Sequence, residues 1–171
     1  SFGGSDNFVA LVWEIYQGHY SLASEYSANH TSKTVNIHRV VQLIDLYKPI
    51  NVGIEINSGG GIILEDLIKK RSNVNWHEVT TSNRSKIENT DRIVLLMERQ
   101  AIEFPAESDL AKELPHFVEA IGAKMRSTTR TRAAESGFHD DAVMACAVTF
   151  ANMDEWAGYA NQRTAKEGIL G

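Results

Sequence analysis

VGIEINSGGGIILEDLIKK, Val52 to Lys70, is the stretch that decides the fold class. Val52 to Ile56 is a short apolar run with one charge in it, Glu55, followed by the turn Asn57-Ser58-Gly59-Gly60-Gly61 and then by IILEDLIKK, which reads as a helix. Strand, glycine turn and helix in that order are the grammar of an α/β crossover. Upstream, Thr34 to Tyr47 sets Ile37, Val40, Val41 and Ile44 at helical spacing and stops at Lys48-Pro49. Before it, Phe8 to Ile15 (FVALVWEI) is separated by Gln17-Gly18 from His19 to Tyr26, the pattern of a β-hairpin. Downstream, Trp76 to Thr80 is a strand, Ser85 to Arg99 a helix through Ile87, Ile93, Val94, Leu96 and Met97, and Ala101 to Phe104 an extended piece ended by Pro105. Pro115 ends a helix, HFVEAIG and KMRSTTRT form a second hairpin, and Asp141 to Trp156 closes the fold as a small-residue apolar helix. The expected whole is an α/β fold: a central mixed β-sheet flanked by helices, with an accessory basic hairpin, over residues 1–157, then a polar tail over 158–171.

Composition agrees with one globular domain. The chain has 171 residues, 43% hydrophobic and 23% charged, with a net charge of −5. Roughly 150 residues bury about two-thirds of their unfolded surface, so neither disulfide nor structural metal is needed to hold a core. The lone Cys146, within AVMACAV, reads as a buried structural thiol. No stretch approaches the roughly 18 apolar residues of a membrane span and no basic-then-apolar leader opens the chain, so a reducing, cytoplasmic setting is expected. The opening Ser1-Phe2-Gly3-Gly4-Ser5, a glycine-rich loop directly before a strand, reads as the start of a piece excised from a longer polypeptide. Charge is uneven: KMRSTTRTR, Lys124 to Arg132, holds four cations and no acid, and Lys69-Lys70-Arg71 is a smaller cluster. Each reads either as a solvated face or, for the longer run with its hydroxyls, as a phosphate-binding segment.

Three acidic features carry potential chemistry. Glu55 lies near the carboxyl end of a strand, where α/β sheets gather ligands; otherwise it points to solvent or caps the next helix. His139-Asp140-Asp141 puts two adjacent carboxylates at a helix start, where capping and the helix dipole account for one of them. Asp6 sits in a glycine-rich loop, where a turn explains it alone. Together Asp6, Glu55, Asp140 and Asp141 offer the hard oxygen ligands that Mg²⁺ and Mn²⁺ prefer, a set suited to two-metal phosphodiester hydrolysis. No Walker A loop and no G-x-S-x-G elbow is present, and the remaining histidines, His19, His30, His38, His77 and His116, show no metal-ligand spacing.

These residues resemble the nuclease domain of tailed-phage terminase large subunits, a branch of the RNase H-like (RuvC-like) nucleases. The resemblance rests on GGSDNFVALVWEI, VGIEINSGGG, SKIENTDRIVLLMERQAIEFP and FHDDAVMACA in that order. It implies an RNase H-like fold and a Mg²⁺- or Mn²⁺-dependent endonuclease for double-stranded DNA. Glu55 would be the second metal carboxylate, and Asp140 or Asp141, beside His139, the third. Lys86 would lie near DNA or the active site, and the run holding Lys124, Arg126, Arg130 and Arg132 would be a DNA-gripping hairpin. Asn57 and Gly59 would shape the turn after the acid. The implied partners are an ATPase portion of the same longer chain, the portal and the small terminase subunit, in the host-cell cytoplasm, with the isolated domain monomeric.

Relatives begin with a strand ending in Asp-Pro, whose Asp is the first metal ligand. This chain starts after that point, which would leave a gap in the centre of the sheet. Either the chain is trimmed, or Asp6 stands in for the missing acid, or the piece does not cut DNA. Two other classes stay open: another RNase H-like nuclease such as a junction resolvase, and a non-catalytic DNA-binding module.

Overall fold

The computed structural model describes residues 7–121, 130–134 and 139–151. Asp6, Lys124, Arg126, the end of the last helix toward Trp156 and the tail 158–171 lie outside them.

Strand β1 (Phe8–Tyr16) turns through Gln17-Gly18, both at positive φ, into β2 (His19–Ala28), and the two pair antiparallel. Two positive-φ residues give the turn the twist that matches its flanking strands. The register slips once, between Val12 and Trp13, where Ala23 is left unpaired as a bulge. Helix α1 (Lys33–Tyr47) is capped by the Ser32 side chain and ends on Lys48 in the left-handed region, just before Pro49. β3 (Asn51–Glu55) leads through a 3₁₀ turn over Asn57–Gly59 into α2 (Gly60–Lys70), and β4 (Asn75–Val79) runs parallel to β3 from Asn51↔Asn75 to Glu55↔Val79. A Ser82–Ser85 capping box opens α3 (Asn83–Glu98), after which β5 (Ile102–Glu103) joins β2 in parallel. α4 (Asp109–Glu113) and the 3₁₀ turn Leu114–His116, which contains Pro115, precede β6 (Phe117–Ile121). β6 pairs antiparallel with β7 (Arg130–Ala134), and α5 (Asp141–Phe150) follows.

Period-two alternation gives β1 two different faces. Val9, Leu11, Trp13 and Ile15 pack on the core of α3, α4 and α5, where Ile93, Leu110, Val143, Cys146 and Phe150 are fully buried. Tyr20 of β2 meets Phe150 edge-on, with ring centroids 5.1 Å apart. α1 covers the other face: the hydroxyl of Tyr26, whose strand partner is Ala10, donates to Asn36 Oδ1. α1 and α2 pack together through a second apolar layer containing Ile37, Ile44, Leu64 and Leu67. On α3, Ile93 and Leu96 face inward, whereas Val94 and Met97 lie half-exposed, so that apolar stripe is narrower than its spacing suggests.

The strands do not close into one continuous sheet. They form a mixed sheet with β2 between β1 and β5, a parallel pair β3-β4, and the hairpin β6-β7. Among the described residues no strand joins β1 to β3. A groove of about 910 Å³ runs between them, walled by β1 and β3 and floored by residues of α1, α2 and α5. Val9, Leu11, Val52 and Ile54, which a closed sheet would bury, are therefore only half-buried. The indole N–H of Trp13, on the groove wall, is buried with no hydrogen-bond partner among the described residues.

Candidate metal centre

Glu55 is the last residue of β3, half-buried on the groove wall. The chain beyond it is fixed closely. Ile56 N–H donates to Val79 O at 2.9 Å, extending the ladder with β4, and the Asn57 side-chain amide donates to Thr81 O at 2.7 Å. Gly59 turns at φ +100°, a region open to glycine at little cost. Gly60 begins α2 against the Glu55 backbone, and a Cβ there would stand 1.8 Å from the Glu55 carbonyl oxygen. The glycines thus let helix α2 start directly on the strand end that presents the acid.

The other acids come from the start of α5. Asp140 is the N-cap residue, yet its side chain caps nothing. Its Oδ2 instead accepts from Lys86 Nζ at 3.1 Å, and that ammonium lies 5.9 Å from the Phe117 ring centroid at the head of β6. Asp141 turns the other way, into the groove shared with Glu55 and Asn57. Its Oδ2 accepts the Asn7 N–H at 2.8 Å, with His139 Nδ1 at 3.5 Å. The amides that an N-cap aspartate ordinarily engages belong to Ala142 and Val143. Here they donate to Glu113 Oε2 of α4, at 2.7 and 3.2 Å. Burial pushes the Glu113 carboxyl above its ordinary range, the two N–H donors pull it back, and the charges of Asp141 and Asp109 raise it further. At the far end of α5, Arg92 Nη1 donates to Phe150 O at 2.5 Å, so the helix is gripped at both ends by neighbouring elements.

Glu55 and Asp141 are thus brought to one groove, Asp140 is drawn aside to Lys86, and His139 stands exposed beside Asp141. The donors match a hard divalent ion in kind. In number they fall short: among the described residues no group of three or more His, Cys, Asp or Glu could enclose a metal. Arg130 and Arg132 fall on β7, in register with Ile121 and Glu119. The Lys69-Lys70-Arg71 cluster lies away from the groove: Arg71 Nε binds Asp45 at 2.7 Å, and Lys69 sits 3.6 Å from Asp66. Cys146 is fully buried, which raises its thiol pKa and fits the structural reading. The residue that sequence reasoning missed is Glu113. A carboxylate capping a distant helix leaves no local signal, since neither its own helix nor its neighbours require an acid there.

Mixed strands, flanking helices and acids at a strand end and a helix start define an α/β domain with a candidate metal groove. Residues 1–152 match the family model of the terminase RNaseH-like domain, and the chain belongs to that family. It is similar in structure to the large terminase nuclease of thermophilic phage G20c, with a TM-score of 0.73 at 23% identity over 88% of this chain and 76% of that one. The same nuclease with bound magnesium gives 0.72 at 22% identity, over 86% and 75%. With bound cobalt it gives 0.66 at 20% identity, over 85% and 81%. At these identities the likeness is one of fold. No curated protein matches the chain in sequence. Among the described residues no helix is long and apolar enough to cross a membrane.

Proposed function

We propose that this domain is a divalent-metal-dependent endonuclease that cuts double-stranded DNA during viral genome packaging, with Mg²⁺ or Mn²⁺ held by Glu55 and Asp141 at the groove. The observation that carries this reading is that two carboxylates distant in sequence line one groove while their neighbour Asp140 turns away to Lys86. Carboxylate oxygens are the ligands such ions take. The G20c nuclease has been solved with magnesium and with cobalt. Metal bound here, as one ion or a pair, would supply Lewis acidity toward a phosphodiester.

The chain's own residues do the rest. Asp141 is the principal ligand of the adjacent pair, and His139 steadies its carboxylate. Lys86 neutralises Asp140 beside the hairpin. Lys124, Arg126, Arg130 and Arg132 hold phosphates without reading bases. Asn57 and Gly59 fix the turn that presents Glu55. We place the further carboxylate either on a strand seated between β1 and β3, which the groove there would accommodate, or at Asp6. In packaging, the domain works with an ATPase portion of the same polypeptide, the portal and the small terminase subunit in the host cytoplasm, and alone it is a monomer.

A second reading, a DNA-binding module without catalysis, draws on the absence of a three-acid group among the described residues. Supercoiled plasmid with and without Mn²⁺ separates the two, using this chain beside a form extended upstream by one strand. Metal-dependent nicking by the extended form alone is the expected result. Nicking by both would mean that Asp6 or another group of this chain completes the site. Retained DNA binding with no cutting by either form would overturn the nuclease reading.

A further inference from the structure

Asp140 occupies the N-cap of α5 without capping it, and the Ala142 and Val143 amides that it would ordinarily engage belong to Glu113. Glu113 reaches them from α4, which is capped by its own Ser108 and tied to β2 by Glu25. Ser108 Oγ accepts the Ala111 N–H at 3.1 Å, and Glu25 Oε2 of β2 accepts the Asp109 N–H at 3.0 Å. Leu110, in the first turn of α4, is fully buried. A chain of carboxylate-to-amide hydrogen bonds thus runs from β2 through α4 to the start of α5.

We infer that Glu113 is a positioning residue for the metal centre. By occupying the amides of the first turn of α5, it keeps Asp140 and Asp141 from folding back onto their own helix. Asp140 then faces Lys86 and Asp141 lines the groove. Without Glu113, Asp140 is the nearest acceptor for those amides; turning back to them breaks its ion pair with Lys86 and rotates the turn that carries Asp141. This inference rests on the metal-centre reading above, and it assigns a role to a residue that touches no metal and no DNA.

The test is Mn²⁺ binding by calorimetry, with thermal unfolding in EDTA alongside, on the unaltered chain, Glu113→Gln, Glu113→Ala and Asp141→Asn. A glutamine Oε1 accepts the same two N–H groups, so Glu113→Gln should bind Mn²⁺ like the unaltered chain. Glu113→Ala should weaken binding about tenfold, the usual effect of removing a residue that orients a ligand. If the alanine variant does not fold, Glu113→Asp, one methylene short of the amides, replaces it with the same expectation. Unchanged affinity in a folded Ala or Asp variant would overturn the inference, as would a loss in Glu113→Gln equal to that in Glu113→Ala. Asp141→Asn distinguishes the two levels. If it binds Mn²⁺ undiminished, the metal-centre reading fails and takes the positioning role with it; if it loses binding while Glu113→Ala does not, only the positioning role fails.

Discussion

At Gly60 a side chain would meet the carbonyl oxygen of Glu55 at 1.8 Å, and the neighbour it meets is backbone, which cannot swing aside. Gly60→Ala should therefore cost about 1–3 kcal/mol, the range for forcing atoms into a packed site, and should displace Glu55. Urea unfolding measures the first effect and cleavage by the form extended upstream by one strand the second; an alanine variant as stable and active as its parent would show that α2 does not seat on the strand end. For the acids, Glu55→Gln and Asp141→Asn in the form extended upstream by one strand should abolish metal-dependent cleavage while leaving circular dichroism and unfolding midpoints close to the parent's. Asp140→Asn should retain part of the activity, because Asp140 faces Lys86 and not the groove. Equal loss in Asp140→Asn and Asp141→Asn would contradict that division. The acids were legible in the sequence as types at a strand end and a helix start. Their division was not, since the choice between a self-capping Asp140 and one turned to Lys86 depends on Glu113, brought in by tertiary packing alone.

Among the elements, β3, its glycine turn and α2 were legible because each carries its own signal: an apolar run, glycines where a positive φ and a close approach are needed, and a periodic helix. The starts of α1 and α3, read at Thr34 and Ser85, lie slightly earlier in the structure, where the Ser32 and Ser82 side chains cap them. The second hairpin was legible in its first strand, but its second begins at Arg130, after much of the basic run, because register is set by pairing across the hairpin and not by charge. Reading Lys69-Lys70-Arg71 as a solvated helix end agrees with the structure, where Asp45 and Asp66 meet it. At this scale Glu25 gives a pH-dependent expectation. Burial holds its carboxyl above the ordinary glutamate value of 4.5, offset in part by the Asp109 and Leu110 amides. A raised acid contributes stability that is complete below 4.5 and lost as pH rises through its folded value. Glu25→Gln should therefore gain thermal stability relative to the parent at pH 7, and the gain should vanish as pH falls toward 4.5. A gain independent of pH would show that burial does not raise the Glu25 carboxyl.

Over the whole molecule, DNA binding as proposed by a chain of net charge −5 would need a local patch of cations, and the longest run of them, Lys124 to Arg132, ends in Arg130 and Arg132 on β7. Arg130→Ala with Arg132→Ala should weaken binding evenly across DNA sequences and flatten its salt dependence by about one unit of slope for each phosphate no longer neutralised. Fluorescence anisotropy on unrelated duplexes at several salt concentrations measures this, and weakening confined to one sequence would contradict a backbone role. The interrupted sheet belongs to this scale too. Among the described residues β1 and β3 each leave an edge without a strand partner at a shared groove, and Glu55 and Asp141 both line it.

The most direct test of the metal centre is anomalous diffraction from crystals soaked in Mn²⁺. A peak between the carboxylates of Glu55 and Asp141 at the groove is the predicted result. A soaked crystal that diffracts well but shows no peak there, or shows Mn²⁺ only on exposed carboxylates elsewhere, would contradict it.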